Sequence, residues 1–460
     1  MPDTTAPARG RTRLKAAGAA IAAGALLAVA LPASPAAAAE TEYTGTLASG
    51  AEWSFVVPDD WNGTVLLYSH GYRPSFAGSA NPAQIAPNDG TGDLLLDMGY
   101  ALVGSGYAGR GWALPTAVDD QLGSLDAALD VSGVEPEHIL AYGTSMGGLV
   151  TGRIAETAGD VIEGALPTCG LMEGGVDLNN YQLDAAHAIN QLLDPEHDIQ
   201  IEGYGVTGLG SAFAATGALL GAVGAAQATP EGQARNALAA ALFHLPGDDS
   251  GSLQEWQESM YGLLQTTIGF VTAGRYDIET AAGGNGTWNT GVDYAKLFQS
   301  SEDRKLVEKL YKQAGLDLKA DLELLTETAD IEADPGSVET LFGHSGLTGD
   351  LQMPVLSLHT TIDILAPVQV EEEYAEDVRG QGDAALLRQM FVERDGHCAF
   401  TPAEIAAGIV VLEERVVTGH WSGASSSVPK LNKLAASLDE SGSAFVSVPP
   451  QEFLADRNMM

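Results

Sequence analysis

The chain has 460 residues, 45% of them hydrophobic and only 18% charged. That balance excludes a disordered chain and leaves room for one large globular domain with an insertion, or for two domains. Its 61 acidic residues against 22 basic ones give a net charge of −39. Such a surface repels phosphate backbones and anionic lipid, so neither nucleic acid nor a stably bound membrane is an expected partner.

Arg9, Arg11, Arg13 and Lys15 precede an uncharged apolar run, Ala16 to Leu31, and the small residues Ala36 to Ala39. This order reads as a secretory signal peptide spanning residues 1–39, cleaved after Ala39, and predicts a secreted protein. The alternative is an uncleaved anchor helix, but the run is short and Ala-rich for one.

Past the leader, Glu42 to Leu47 and Ala51 to Val57 read as two strands joined by a Ser-Gly turn, and Thr64 to Ser69 as a third. Asp93 to Met98 reads as a helix, Ala101 to Ser105 as a buried strand, and Ala117 to Val131 as a helix with apolar residues at helical spacing. His138 to Tyr142 is a strand, Met146 to Thr157 a helix, and Val161 to Pro167 a strand. Alternating strands and helices predict an α/β fold with a mostly parallel central sheet covered on both faces. These segments form the first part of the core, 40–169.

The alternation then stops. Residues 170–350 read as helices and Gly/Ala-rich loops, a large helical cap insertion. Gly203 to Pro230 carries no charge; small-residue helices packed over the active site are expected there rather than a membrane span, because its many glycines weaken an isolated helix. Glu302 to Leu325 reads as a charged amphipathic stretch, a solvent-facing helix. The alternation resumes over 351–421 with a strand from Pro354 to His359, a helix from Val368 to Arg379, a strand from Leu386 to Val392 and a helix from Pro402 to Val417. Residues 422–460 read as a C-terminal tail.

The stretch that carries chemistry is Gly143-Thr144-Ser145-Met146-Gly147-Gly148. Strand, sharp turn and helix form the context in which Gly-x-Ser-x-Gly presents a nucleophilic serine. A serine hydroxyl needs a base, and the base an orienting acid. On such a scaffold the order along the chain is Ser, acid, His. Asp363 follows the strand that starts at Pro354, and His397 follows the last strand, so these are the expected acid and base; Asp395 is the rival acid. The other histidines are weaker candidates: His70 and His359 close strands, and His138, His187, His197, His244, His344 and His420 lie in no motif. His70-Gly71-Tyr72 ends the strand expected beside that of the serine. The backbone N–H groups of Met146 and Tyr72 are therefore the expected oxyanion hole.

On these motifs the chain resembles the α/β-hydrolases, in particular secreted bacterial serine hydrolases of esterase or prolyl-oligopeptidase type with a cap between the sixth and seventh core strands. The resemblance implies hydrolysis of an ester, less often of an amide or peptide, through an acyl-enzyme, with no metal or organic cofactor. The leading expectation is a carboxylic-ester hydrolase acting on a small-molecule or polymeric ester. The alternative is a serine peptidase of prolyl-oligopeptidase or exo-aminopeptidase type, for which Glu173 and Asp177 are candidate grips on an amino terminus. A non-catalytic binding protein on the same fold is disfavoured by the intact Ser, Asp and His. Cys169 and Cys398 are the only cysteines. Both fall at the carboxyl end of the expected sheet, and in an exported protein they are expected to form a disulfide.

Overall fold

The computed structural model describes residues 40–194, 196–247, 250–299 and 301–451. The leader over 1–39, with its expected cleavage after Ala39, and residues 452–460 of the expected tail lie outside the described residues.

The strands are β1 (Glu40–Thr46), β2 (Glu52–Pro58), β3 (Thr64–Ser69), β4 (Ala101–Ser105), β5 (His138–Thr144), β6 (Gly164–Thr168), β7 (Val355–Ile362), β8 (Leu387–Asp395) and β9 (Phe445–Val446). They form one sheet in the order β1-β2-β4-β3-β5-β6-β7-β8-β9. From β4 to β8 every neighbouring pair is parallel, and antiparallel pairs close both edges. Between core strands run α1 (Asp89–Asp97), α2 (Leu114–Ser132) and α3 (Met146–Thr157). The architecture is an α/β-hydrolase fold, a mostly parallel sheet with helices on both faces.

Strand alternation divides the core. Val65 and Leu67 join one buried cluster together with α2 and α3, while Leu66 and Tyr68 join the other. A strand covered on both faces is apolar along most of its length, and β3, β4 and β6 are buried throughout.

Between β6 and β7 the described residues form helices and no strand: α4 (Gly174–Leu193), α5 (Tyr204–Thr207), α6 (Leu209–Ala226), α7 (Pro230–Leu242), α8 (Leu253–Gly269), a π-helical turn (Phe270–Gly274), α9 (Arg275–Ala282), α10 (Tyr294–Gln299), α11 (Arg304–Ala314), α12 (Leu318–Glu327) and α13 (Pro335–Ser345). The axis of this cap is α4, buried on nearly all sides. Two expectations need correction here. The stretch from Glu302 to Leu325 is amphipathic but not one helix: Gly315 breaks it in a left-handed cap, and its apolar face buries Val307, Leu310, Tyr311, Leu322 and Leu325. The uncharged run does form α6, but of this helix only Ala212, Ala215, Leu219 and Val223 are buried, and Phe213 is half exposed. By length and composition α6 is apolar enough to cross a membrane, with 22% of it buried.

After β7 come α14 (Val370–Gln381), α15 (Pro402–Thr418) and α16 (Val428–Leu438). Thr401 starts α15 with a capping box to Glu404, and Pro402 sits where its missing N–H costs nothing. The segment expected to be a tail is instead part of the core. Leu431 and Ala435 of α16 and Phe445 of β9 are buried against it, and β9 pairs with β8. A two-residue strand leaves no periodicity to read, which is why the sequence concealed it.

Candidate active site

The site lies at the carboxyl ends of β3, β5, β6, β7 and β8. β5 and β3 are adjacent, and the chain proceeds from them to opposite sides of the sheet, the kind of position where open α/β sheets bind ligands. Ser145 joins β5 to α3 with φ 61° and ψ −123°, a strained backbone for a non-glycine residue. The turn is possible because Gly147 has no side chain. A Cβ there would run into the carbonyls of Ser69 and His70 at the end of β3. Ser145 N–H donates to the Thr168 carbonyl at 3.0 Å, fixing the elbow to β6.

His397 sits on the loop after β8, and its Nε2 is 2.7 Å from Ser145 Oγ. Its Nδ1 lies 2.8 and 2.9 Å from the two carboxylate oxygens of Asp363. Asp363, after β7, is almost fully buried. Its Oδ1 accepts the Leu365 and Ala366 N–H groups at 2.9 and 3.0 Å. Burial alone pushes this carboxyl up. The opposing attractions of His397, of its hydrogen bond, of His359 and of the Ala366 N–H outweigh that, so its pKa ends below the ordinary value. The structure thus brings Ser145, His397 and Asp363 together and leaves Asp395, the last residue of β8, off the imidazole. An imidazole held in this way presents Nε2 as a proton acceptor to the hydroxyl, and the carboxylate steadies the cation formed on transfer.

His359 was a minor candidate, and the structure gives it a distinct place. It is fully buried in β7, with Nδ1 3.0 Å from Glu371 Oε1 and Nε2 2.8 Å from the Ala366 carbonyl. Both ring nitrogens face acceptors, so both carry protons. Burial opposes the charge, but Glu371 above all, then Asp363 and Ala366, raise the imidazole to about 9. A cation therefore stands behind the Asp363 loop. Sequence reasoning lacked a signal for it, because Glu371 lies on α14, a helix whose many acidic residues hide the one that turns inward.

Met146 is the first residue of α3, where helix geometry leaves N–H groups without intrahelical partners. Gly71 lies against the elbow: a Cβ there would come within 3.3 Å of Ser145 Cβ. Tyr72 follows it and is tied to the cap, its hydroxyl donating to Asp277 of α9. Asp277 also accepts the Ser75 N–H at 3.0 Å and the Ser75 hydroxyl. This acid was not singled out in the sequence.

Cys169 and Cys398 form a disulfide with Cα atoms 5.3 Å apart. It joins the residue after β6 to the residue after His397.

A narrow pocket opens at Ser145, walled by Tyr72, Trp112, Leu171, Leu178, Gln182, Phe270, Gly274, Ile278 and Leu365. The uncharged run from Gly203 to Pro230, expected over the active site, does not supply this wall. The wall comes instead from the π-helical turn and α9; α6 packs behind that turn and against α4, α7 and α8. Buried Arg275 fixes this wall by donating to the Asn179 carbonyl of α4 at 2.6 Å and to Thr287 Oγ1 at 2.7 Å. Neither Glu173 nor Asp177 lines the pocket.

No protein-family model matches the chain. Over 433 residues it is 29% identical to an o-phthalyl amidase of Xanthobacter agilis, an alignment that covers 86% of this chain and 91% of that protein. Among solved structures it is similar to an esterase from Aspergillus oryzae, with a TM-score of 0.43 and 12% identity over 83% of this chain and 80% of that one. It is also similar to the acylaminoacyl peptidase of Pyrococcus horikoshii, with a TM-score of 0.37 and 10% identity over 83% and 42% of the two chains. The strand order, the strained serine between β5 and α3, and the succession of Ser145, Asp363 and His397 along the chain are those of an α/β-hydrolase fold.

Proposed function

We propose that the chain is a serine hydrolase that cleaves small carboxylic esters and amides through an acyl-enzyme on Ser145. The observation that carries this reading is the 2.7 Å approach of His397 Nε2 to Ser145 Oγ, with Nδ1 held by Asp363. In this reading Ser145 Oγ attacks the acyl carbon while His397 takes its proton. The oxyanion is held by the N–H groups of Met146 and Tyr72. His397 then gives the proton to the leaving alcohol or amine, and the acyl-enzyme forms. Water, deprotonated by the same imidazole, attacks next, and the acid departs as Ser145 recovers its proton.

The choice between ester and amide turns on the leaving group. An amine leaves only if protonated as the C–N bond breaks, so an amidase depends more strongly on a well-placed His397. The similarity to an amidase over 86% of the chain favours amides as natural substrates, with activated esters cleaved on the same site. Export after cleavage of the leader is part of the proposal and places the disulfide in an oxidising compartment. The test is a panel of 4-nitrophenyl esters beside acyl and aminoacyl 4-nitroanilides, with a serine-directed phosphonate and mass mapping of the adduct. Turnover together with labelling at Ser145 supports the reading. Turnover that persists after full labelling of Ser145, or an adduct elsewhere, overturns it.

A further inference from the structure

The inference concerns what the pocket at Ser145 selects, and it rests on the reading of Ser145 as nucleophile. His397 delivers the proton to the leaving group, so that group must lie beside His397. His397 is not among the walls of the pocket, whereas Tyr72 of the oxyanion loop is. The pocket is therefore on the acyl side of the scissile bond.

Most of its wall is apolar or aromatic, and two residues break that character. Trp112 and Gln182 are 5% and 6% exposed. Each keeps a polar atom without a partner, the indole Nε1 of Trp112 and the amide Oε1 of Gln182. Buried polar atoms are nearly always hydrogen-bonded, and one left bare in a protein's binding cavity marks a place for a ligand atom. The orientation of Gln182 follows from its neighbour. Tyr181 donates its hydroxyl hydrogen to the Leu365 carbonyl at 3.3 Å, and the Gln182 side chain also hydrogen-bonds this hydroxyl. The Tyr181 oxygen can then only accept, so Gln182 turns its nitrogen to Tyr181 and keeps its oxygen free.

The wall thus offers one group that can only donate, the indole N–H, and one atom that can only accept, the amide oxygen. A hydroxyl suits either atom, since it accepts and donates. A carboxylate does not, because it would face Gln182 Oε1 with a negative charge. A methyl group leaves both atoms desolvated and unpaired. We infer that Trp112 and Gln182 form an acyl-side subsite that selects small acyl groups carrying a hydroxyl.

The experiment compares kcat/KM for 4-nitrophenyl esters in near-isosteric pairs, lactate against isobutyrate and the three hydroxybenzoates against the matching toluates. A carboxybenzoate is included. The same set is run on Trp112→Phe and Gln182→Met. At least one hydroxyl member should exceed its methyl partner by about 10-fold or more, since a site built to pair a hydroxyl penalises the analogue that lacks it. The ratio should fall toward one in both variants. Because it is taken within each protein, partial misfolding of a variant cancels. Equal rates within every pair, a ratio that survives both substitutions, or a preference for the carboxylate would each overturn the inference while esters are still turned over through Ser145. Turnover of no ester at all would remove the proposed function, and this inference with it.

Discussion

The hydroxyl of Tyr72, on the loop beside the elbow, donates to the carboxylate of Asp277, on the first turn of α9 in the cap. The same carboxylate takes the N–H and hydroxyl of Ser75, three residues along that loop. The loop that carries the proposed oxyanion donor is therefore held by an insertion and not by the sheet alone. Asp277 is a positioning residue in this view. Asp277→Asn should lower kcat by about 10-fold or more, less than loss of a whole oxyanion donor, with KM changed only a few-fold. Tyr72→Phe removes the same bond, so the double variant should fall short of additivity. Additive losses, or a loss confined to KM, would count against a shared role in holding the loop.

The charge-transfer path can be tested residue by residue. Ser145→Ala and His397→Ala should each reduce turnover by roughly 10⁴-fold with the melting temperature retained, and the pair together should cost little more than either. Asp363→Asn should cost about 10²- to 10⁴-fold, and Asp395→Asn little. Steady-state kinetics on the five variants decides it. A greater loss for Asp395→Asn than for Asp363→Asn would reverse the assignment of the acid.

Some of this was legible in the sequence, for reasons that differ by residue. Ser145 was visible because an elbow needs glycine at fixed offsets, and local steric rules leave a local signature. Asp363 and His397 were visible through chain order, since each follows a buried strand whose apolar run is itself readable. Asp277 and Glu371 were not. Each is one acid among 61 acidic residues, and what distinguishes it is which neighbours the fold places around it. The uncharged run from Gly203 to Pro230 misled for a related reason. An apolar run says that some face is buried, but not against which partner, and α6 turned that face to the cap interior while Phe213 met Phe76 at the surface, ring centroids 5.3 Å apart.

Reduction of the disulfide offers a third test. The bridge spans 229 residues of sequence, so chain entropy alone allows stabilisation of about 5 kcal/mol. Cys398 adjoins His397, and a loosened loop moves the imbidazole-bearing residue relative to Ser145, where small displacements are costly to rate. Cys398→Ala, assayed well below its own melting temperature, should lose about 10-fold or more in kcat, and amide substrates should suffer more than activated esters because only they need the proton at bond cleavage. A variant that is less stable yet equally active on both would confine the bridge to stability.

His359 makes the stability of the fold depend on pH in a predictable direction. Its folded pKa is raised to about 9 while an unfolded histidine titrates near 6.5. Below about 6.5 both states hold the proton and the full contribution is present. As pH rises, the unfolded state loses its proton first, so the contribution shrinks steadily and is gone once pH passes the folded value. Asp363, whose pKa is lowered, acts at the other end: its contribution is present above the ordinary carboxylate value and is lost as pH falls through the folded one. Glu173 complicates the alkaline side, because burial raises its carboxyl and its ionisation also works against the fold as pH rises. The difference between wild type and His359→Asn isolates the imidazole together with its attraction for Glu173 and Asp363. Denaturant unfolding of the two proteins from pH 6 to 10 should show a gap that is widest near pH 6 and narrows toward pH 10, where the wild-type imidazole has itself become neutral. A gap that is constant across the range, or that widens with pH, would mean that His359 is not held as a cation behind the Asp363 loop.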